Sequence, residues 1–343
     1  MDFELPAETQ LLAQTVQSAL ASAPADPGAL LSQLGIFGID LHDDNGVVNA
    51  AVVARAVGHA NAAFSVADQL LALSCADPAF ADAAFAGQAD ALARGQASVA
   101  VAHLAGAGLS AGTAVASAYV AEPAYYLLVG PGGELASLAA AQVSVAARGF
   151  FNPEAPQVRI TWDSAPAPIS LPDPVRQLAS YRALEMADLV GAADRLFTGT
   201  LEYAKIREQF GATIGSYQAV AHRLADLYVL LQAADALVAY TSWVAGSPSW
   251  SSAAALAWAR SAQALTSEYA LQIVKQSFQL HGGISATEEF WVHRWVRRAM
   301  RLIAAHGPAD REFSQVGADL AAGIRLDLNG DLDEVSDQPS EPF

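Results

Sequence analysis

The sequence contains a single cysteine, Cys75, among 343 residues. One cysteine can form neither an internal disulfide nor a cysteine-built zinc site, and Cys75 is expected to be a small buried residue. The seven histidines show no metal-binding spacing, so no metal site is predicted. Any redox chemistry would therefore depend on a bound organic cofactor.

Basic residues are few, with 18 lysines and arginines against 35 aspartates and glutamates and a formal net charge of -17. This balance argues against nucleic acid as a partner, because phosphate backbones bind basic surfaces. One arginine in a cleft can still hold a phosphate, since salt screens distant charges more than near ones. Part of the acidity lies in residues 329–343, which are predicted to form a disordered tail.

Long hydrophobic runs are also absent. The longest apolar stretches, such as Ala97 to Ala107, are too short and too rich in alanine and glycine to cross a bilayer, so no membrane association is predicted. The start, Met1-Asp2-Phe3-Glu4, lacks the basic residues and apolar core of a signal peptide. We expect a cytoplasmic protein with a sizeable core, because 53% of its residues are hydrophobic.

The pattern of apolar and turn-forming residues predicts an α+β protein that is mostly α-helical. Residues 1–95 have helical periodicity and predict an N-terminal helical domain. Residues 96–170 contain strand-like runs broken by glycine and proline, and predict a small antiparallel β domain that ends in a proline-rich linker from Pro166 to Pro174. The predicted strands are Ser98 to Ala102, Ala114 to Val120, Tyr125 to Val129, Gln142 to Ala146 and Val158 to Trp162.

Residues 171–328 predict a C-terminal four-helix bundle. The helix after Tyr217 has apolar residues at alternating steps of four and three, as in a bundle seam. Its predicted partners, Tyr181 to Arg207 and Ser251 to Leu280, are long enough to run the length of a bundle. The seam residues are Val220, Leu224, Leu227, Leu231, Ala234 and Val238.

Two short stretches of this half suit an extended anionic cofactor. Arg207 to Gln218 joins a fixed cation to an aromatic ring, a tight turn and an amide. Gln279 to Ile284 places an amide beside a glycine pair, where a backbone can approach a phosphate closely. Each alone is typical of a helix end or a turn, and it is their conjunction that favours a ligand site.

Both stretches resemble, position by position, the flavin-binding stretches of the acyl-CoA dehydrogenase family. The resemblance extends from Met1 to Gly307 and implies the family's fold: an N-terminal helical domain, a small middle β domain and a C-terminal four-helix bundle. It also implies an FAD cofactor held mainly by a neighbouring subunit. The residues that would reach its pyrophosphate and adenosine half across the interface are Arg207, Phe210, Gln218, Gln279, Gly282 and Gly283.

The family's catalytic base is missing from its expected positions. In the family a glutamate takes the α-proton of an acyl-CoA thioester while the β-hydrogen leaves as hydride to the flavin. On the family's spacing, its two possible positions fall at Tyr181 and at His306, or Ala305 if the register shifts by one. None of these is a carboxylate, so no catalytic residue is predicted.

The middle domain also departs from the family pattern. Family members carry a Thr-Glu-Pro run followed by Gly-Ser-Asp, which hold the flavin ring, and later a tryptophan that packs on its face. Here Ala102 to Gly112 reads Ala-His-Leu-Ala-Gly-Ala-Gly-Leu-Ser-Ala-Gly, and no tryptophan precedes Trp162. The groups expected at the ring end are missing, whereas those at the phosphate end are kept.

This split pattern predicts one subunit of a heteromeric acyl-CoA dehydrogenase, with two copies of each chain. The chain would be inactive alone, and a full-length partner would supply the glutamate, the flavin-ring pocket and most of the acyl-CoA site. The pattern resembles the smaller subunits of actinobacterial enzymes that act on steroid side chains.

Two alternatives stay open. The chain could be a self-sufficient dehydrogenase with a relocated base, either Glu185, one helical turn after Tyr181, or His306. The plainer interpretation is that Glu185 is a surface carboxylate and His306 a capping or core histidine. The second alternative is a flavin-free scaffold subunit.

Overall fold

The computed structural model describes residues 5–43, 45–96, 99–104, 109, 112–117, 119, 122–147, 157–306 and 309–326. The predicted tail at 329–343 lies outside the described residues. So does most of the altered stretch between Leu104 and Gly112. The described residues confirm the predicted fold class, α+β and mostly α.

Six helices form the N-terminal part. Local caps set their starts: the Asp26 carboxylate accepts a hydrogen bond from the Ala29 amide at 2.9 Å, and the Ser65 hydroxyl accepts one from the Asp68 amide at 3.1 Å. Their apolar faces join the main hydrophobic core with the bundle. The helices are α1 (Ala7–Leu20), α2 (Pro27–Gln33), α3 (Gly46–Ala60), α4 (Val66–Cys75), α5 (Ala83–Ala86) and α6 (Ala89–Ala93).

A seven-stranded sheet follows, in the order β5-β6-β2-β1-β3-β4-β7. The prediction of an antiparallel sheet is wrong for one pair, because β1 and β3 run parallel with Val99 opposite Tyr125. The sequence prediction also missed β4 and β7. The strands are β1 (Val99–His103), β2 (Thr113–Ser117), β3 (Tyr125–Val129), β4 (Leu135–Ala139), β5 (Ser144–Ala147), β6 (Gln157–Thr161) and β7 (Ala167–Ile169).

Five helices form the C-terminal part, with a short hairpin between the first two. The Asp173 carboxylate accepts a hydrogen bond from the Arg176 amide at 3.0 Å, and Pro174 opens the first helix. The predicted seam of α8 is buried except for Val220, which is half-buried. The elements are α7 (Pro174–Ile206), β8 (Glu208–Gln209), β9 (Ala212–Thr213), α8 (Gln218–Gly246), α9 (Ser252–His281), α10 (Val292–His306) and α11 (Ala309–Ala321).

Glycines bring α3 and α7 into close contact. A Cβ atom on Gly191 would lie 2.0 Å from the Arg55 carbonyl oxygen, and one on Gly58 would lie 2.0 Å from the Asp188 carbonyl oxygen. The two backbones can therefore approach only because both positions lack a side chain. This crossing joins the N-terminal helices to the bundle.

Helix α8 is unusually apolar for a helix so little covered. Among the described helices, it alone is long and apolar enough to cross a membrane, a test that core helices of soluble proteins also pass. Only 39% of its most apolar window is buried within this chain. Tyr228 and Val229 are exposed there.

Candidate functional site

The first predicted cofactor stretch forms a rigid hairpin at the end of α7. Arg207 follows the last helical residue, and β8 pairs with β9 across the two-residue loop Phe210-Gly211. Both loop residues have positive φ, +54° and +85°, as a type I′ hairpin turn requires. The Tyr217 hydroxyl donates to the carbonyl oxygens of Gln209 and Phe210 at 3.0 and 3.1 Å, which holds the turn in place.

Phe210 combines backbone strain with exposure. A left-handed conformation costs a residue with a side chain about 1–2 kcal/mol, and glycine would avoid that cost. The Phe210 ring is 95% exposed and therefore gains almost nothing from packing within this chain. An aromatic ring held outward at such a cost points to contact with another molecule.

The second stretch ends α9 with an open backbone. Gly282 has φ of +67°, and a Cβ atom on Gly282 or Gly283 would meet no described atom within 4 Å. The Ser285 hydroxyl donates to the Gly282 carbonyl oxygen at 2.6 Å and fixes the turn. This backbone can be approached closely, as a phosphate site requires.

An aromatic stack places both stretches at the same end of the bundle. Tyr203, one helical turn before Arg207, stacks on His281 with ring centroids 4.5 Å apart and planes at 30°. His281 Nδ1 donates to the Ser277 carbonyl oxygen at 2.8 Å. Burial lowers the pKa of His281, partly opposed by this hydrogen bond. The stack keeps Arg207 and the glycine turn side by side.

The residues at this end fit the phosphate half of an extended anionic cofactor. Arg207 makes no ion pair or side-chain hydrogen bond with any described residue. Gln218 is the first residue of α8, where unpaired backbone N–H groups favour anions. All six predicted cofactor residues are exposed: Arg207, Phe210, Gln218, Gln279, Gly282 and Gly283.

The expected base position, Tyr181, is occupied by a buried hydrogen-bonded phenol. Its hydroxyl donates to Asp68 Oδ1 at 2.9 Å, and therefore accepts from His103 Nε2, also at 2.9 Å. Burial raises the pKa of Tyr181 well above its ordinary value, and the charges of Asp68 and Glu185 raise it further. The phenol stays protonated and cannot serve as a base.

A cavity of about 330 Å³ lies beside Tyr181, between the sheet, α4, α7, α10 and α11. Glu185 lines it and is buried, so the interpretation of Glu185 as a surface carboxylate is wrong. The reason is that α7 is enclosed over much of its length by α3, α9 and α10. The polar and charged lining residues are Asp68, His103, Gln157, Tyr181, Arg182, Glu185, Arg301, Arg311 and Glu312.

Three residues of this cavity, Asp68, His103 and Arg301, were not predicted as site residues from the sequence. They lie on α4, β1 and α10, and only the tertiary fold brings them to Tyr181. The one available signal was a histidine at the end of an otherwise apolar strand. Ala305, the shifted second base position, lines the same cavity, while the side chain of His306 lies outside the described part of the chain.

The sheet side of this region is closed by an aromatic residue and a buried arginine. Arg301 Nη2 donates to the Tyr119 hydroxyl, and the guanidinium lies 4.9 Å from the centre of the Tyr119 ring. Burial raises the pKa of Tyr119. Trp162 packs within the core of the sheet against residues such as Ala102 and Leu104.

Comparison with known proteins finds similarity in the C-terminal part. Residues 174–321 match the family described as acyl-CoA dehydrogenase, C-terminal domain. Acyl-CoA dehydrogenase IpdE2 of Mycobacterium tuberculosis is 38% identical over 150 residues, which cover 38% of this chain and 44% of that protein. The match therefore spans less than half of the length of that curated relative.

Solved structures extend the likeness to nearly the whole chain. A chain of the ChsE4-ChsE5 complex from Mycobacterium tuberculosis is 22% identical with a TM-score of 0.75, and the match covers 94% of this chain and 99% of that chain. A Tcur3481-Tcur3483 steroid ACAD variant is 19% identical with a TM-score of 0.71, covering 92% and 98%. At these identities the likeness establishes the fold.

Proposed function

We propose that the chain is one subunit of a heteromeric FAD-dependent acyl-CoA dehydrogenase, in keeping with the match of residues 174–321 to the C-terminal domain of that family. The observation that carries the proposal is a contrast within one molecule. The phosphate-end residues are exposed and make no ion pair with any described residue, whereas the expected base position holds the hydrogen-bonded phenol of Tyr181. The chain therefore completes a cofactor site that lies mostly on another subunit.

In this assembly the chain's own residues bind and orient the cofactor. Arg207 stays charged and can meet two phosphate oxygens at once. Gln218 and Gln279 supply amide hydrogen bonds, and the Gly282-Gly283 backbone allows close approach. FAD, when bound, supplies the hydride acceptor of the dehydrogenation. The partner subunit supplies the glutamate that takes the α-proton, and the flavin-ring pocket.

The exposed face of α8 supports a protein partner. Val229 is 65% exposed and Tyr228 is 51% exposed on a helix that is otherwise as apolar as a core helix. Large apolar side chains exposed side by side on such a helix support an interaction site there. We infer a cytoplasmic α2β2 assembly, with most of the acyl-CoA site in the partner.

The substrate class follows from likeness to named complexes. One structural neighbour is a steroid ACAD and another is the two-chain ChsE4-ChsE5 complex. We propose that the assembly dehydrogenates a CoA thioester at its α and β carbons, with a steroid side chain as the acyl group.

Co-expression with a full-length acyl-CoA dehydrogenase tests the proposal. The chain alone is expected to purify colourless and inactive, and the complex to carry flavin and turn over an acyl-CoA. Arg207→Gln should lower flavin occupancy of the assembled complex, with affinity reduced about tenfold or more through loss of charge-assisted hydrogen bonds. Arg94→Gln, at an exposed site on the N-terminal part, is the control that should leave occupancy unchanged.

A self-sufficient dehydrogenase is the second candidate, favoured by the burial of Glu185 beside the cavity. It requires full flavin occupancy and turnover by the chain alone, both abolished or strongly reduced in Glu185→Gln. Unchanged turnover in that variant would remove Glu185 as the base. A complex that assembles without any flavin would instead indicate a scaffold subunit.

A further inference from the structure

Three of the predicted cofactor residues lie on three separate segments and need a common support. Arg207 follows α7, Phe210 lies at the tip of the hairpin, and Gln218 opens α8. The carbonyl oxygen of Arg207 accepts a hydrogen bond from the Ile214 amide at 2.8 Å, which closes the base of the hairpin. The main chain thus fixes the base, and the direction of the tip depends on further contacts.

The hairpin is too short to hold its own tip. Strands β8 and β9 contain two residues each, and an isolated two-stranded hairpin is at best marginally stable in water. The tip also carries Phe210 in a left-handed conformation, with φ of +54°, which opposes formation of the turn. The Phe210 ring is 95% exposed, so packing within this chain does not compensate.

The Tyr217 hydroxyl supplies the missing support. It donates to the carbonyl oxygens of Gln209 and Phe210 at 3.0 and 3.1 Å. Among the described residues, no other residue from outside the hairpin forms a hydrogen bond with residues 209–212. Because Tyr217 directly precedes Gln218, this contact ties the tip of the hairpin to the start of α8.

The two oxygens that accept from Tyr217 lie on either side of the Phe210 Cα atom. The Gln209 carbonyl belongs to the peptide plane before that atom, and the Phe210 carbonyl belongs to the plane after it. Since φ and ψ are the only soft angles between two peptide planes, a donor shared by both oxygens restricts both angles. These angles fix the direction of the Cα–Cβ bond, and with it the side from which the Phe210 ring can meet a ligand.

We propose that Tyr217 is a positioning residue for the cofactor site that this chain lends to its partner, an inference that rests on the proposed function. The hydroxyl holds the exposed Phe210 ring in a fixed direction relative to Arg207 and Gln218. The three residues then meet the cofactor as one preformed surface, which loses less conformational freedom on binding than a mobile one. Removal of the hydroxyl is expected to weaken cofactor binding while the fold is kept.

Tyr217→Phe tests the support of the tip directly, because it removes the hydroxyl and keeps the half-buried ring. In the isolated full chain, we expect amide hydrogen exchange of residues 207–214 to accelerate about threefold to tenfold, as the loss of one hydrogen bond predicts. The Tm, and the exchange of α8 beyond its first turn, should not change. Quenched-flow exchange with mass spectrometry measures these rates.

Tyr269→Phe is the matched control. Tyr269 on α9 is also half-buried, and its hydroxyl makes no hydrogen bond with any described residue, so the exchange of the hairpin should keep its rate. Phe210→Asn provides a second background, since Asn-Gly is a favoured sequence for a type I′ turn and needs no outside support. In that background, Tyr217→Phe should change hairpin exchange by less than about twofold.

The same variants test the cofactor site in the co-expressed complex. Tyr217→Phe should lower flavin affinity about threefold to tenfold without loss of the partner, and Tyr269→Phe should leave the affinity unchanged. In the Phe210→Asn background no ring remains to be positioned, so adding Tyr217→Phe should have no further effect. Flavin retained per complex across a dilution series, measured by absorbance, gives the affinity.

Three results would overturn the inference. They are unchanged hairpin exchange in Tyr217→Phe, accelerated exchange with unchanged flavin affinity, and equal losses of affinity in the parent and Phe210→Asn backgrounds. In each of them the parent complex still carries flavin. Failure of the proposed function differs, because the parent complex would then carry no flavin, and this inference would fail with it.

Discussion

Neighbouring arginines of α10 differ in what they contribute to stability. Arg298 is buried, pairs with Asp188 through two hydrogen bonds, and also donates to the carbonyl oxygens of Ala62 and Phe64. Among the described residues, Arg297 makes only a long contact of 3.8 Å with Glu288, whose side chain is 87% exposed. The buried Arg298 therefore joins three segments of the chain, whereas water can replace the contact made by the exposed Arg297.

Replacing Arg298 by alanine should destabilise the chain by about 3–5 kcal/mol, because Asp188 and two carbonyl groups lose their buried partner. Arg297→Ala should cost less than about 1 kcal/mol, since exposed ion pairs are screened by solvent. Urea denaturation of both variants under the same conditions gives the comparison. Similar losses for the two substitutions would contradict the assignment of different roles.

The histidine beside the glycine turn predicts a direction of pH dependence. Burial lowers the pKa of His281 in the folded chain, so the neutral form is favoured there. As pH falls below about 6.5, the unfolded chain takes up a proton that the folded chain resists, and the stability contributed by neutral His281 is lost. We expect the urea concentration at the unfolding midpoint to decrease as the pH is lowered from 8 to 5.

Substitution at His281 separates this contribution from that of other groups. His281→Asn should be less stable at pH 8 but should show a shallower loss on acidification. His42→Asn, at an exposed site in the N-terminal part, serves as the control and should keep the slope of the parent chain. An unchanged slope in His281→Asn would exclude this residue as the source of the pH dependence.

Individual residues also mark the limits of sequence reasoning about the site. Arg207, Gln218 and Gln279 could be chosen because they lie within short contiguous motifs next to helix ends. Asp68, His103 and Arg301 could not, since they belong to three separate elements and only the packing of α4, the sheet and α10 brings them together. The burial of Glu185 could not be predicted from the sequence for the same reason.

At the scale of elements, the crossing of α3 and α7 depends on the absence of side chains. Gly191→Ala would place a methyl group 2.0 Å from the Arg55 carbonyl oxygen, which cannot move without shifting the backbone of α3. We expect a loss of about 1–3 kcal/mol or more through overpacking. Thermal or urea denaturation measures the loss.

Gly317 on α11 offers the matched glycine, because a Cβ atom there meets no described atom within 4 Å. Gly317→Ala should stabilise the chain by about 0.5–1 kcal/mol, since alanine is the better helix former. Stabilisation by both substitutions would show that α3 and α7 do not pack as closely as described.

The elements were predictable to different degrees. The apolar seam after Tyr217 located α8, and its predicted long partners matched α7 and α9 to within a few residues, apart from the first turns of α7. Strand β4 has alanine and serine in place of typical strand formers, and β7 lies within the predicted linker, where Pro168 is tolerated at a sheet edge. The parallel pairing of β1 and β3 depends on a chain crossing that no local pattern encodes.

For the whole molecule, the exposed strip of α8 formed by Tyr228 and Val229 predicts which substitution should prevent the proposed assembly. Val229→Glu should abolish co-purification with the proposed partner, because it places a charge at an exposed apolar position that the proposed assembly would cover. The isolated chain should keep its helical circular dichroism and change in stability by no more than about 0.5 kcal/mol.

Leu11→Glu provides the matched control, since Leu11 on α1 is exposed to the same extent, 65%, and lies outside that strip. It should leave co-purification intact. Loss of the partner in both variants would indicate a general solubility defect, whereas retention in both would place the interface elsewhere.

The exposed strip of α8 also affects the amount of this chain that a cell is expected to contain. Exposed apolar helix surface is what chaperones and proteases recognise on incompletely assembled proteins. In the proposed assembly, copies synthesised in excess of the partner would keep that strip in contact with solvent and be degraded. The cellular level of this chain is therefore expected to follow that of its proposed partner. Stable accumulation of the chain would require that the two proteins be synthesised in balanced amounts.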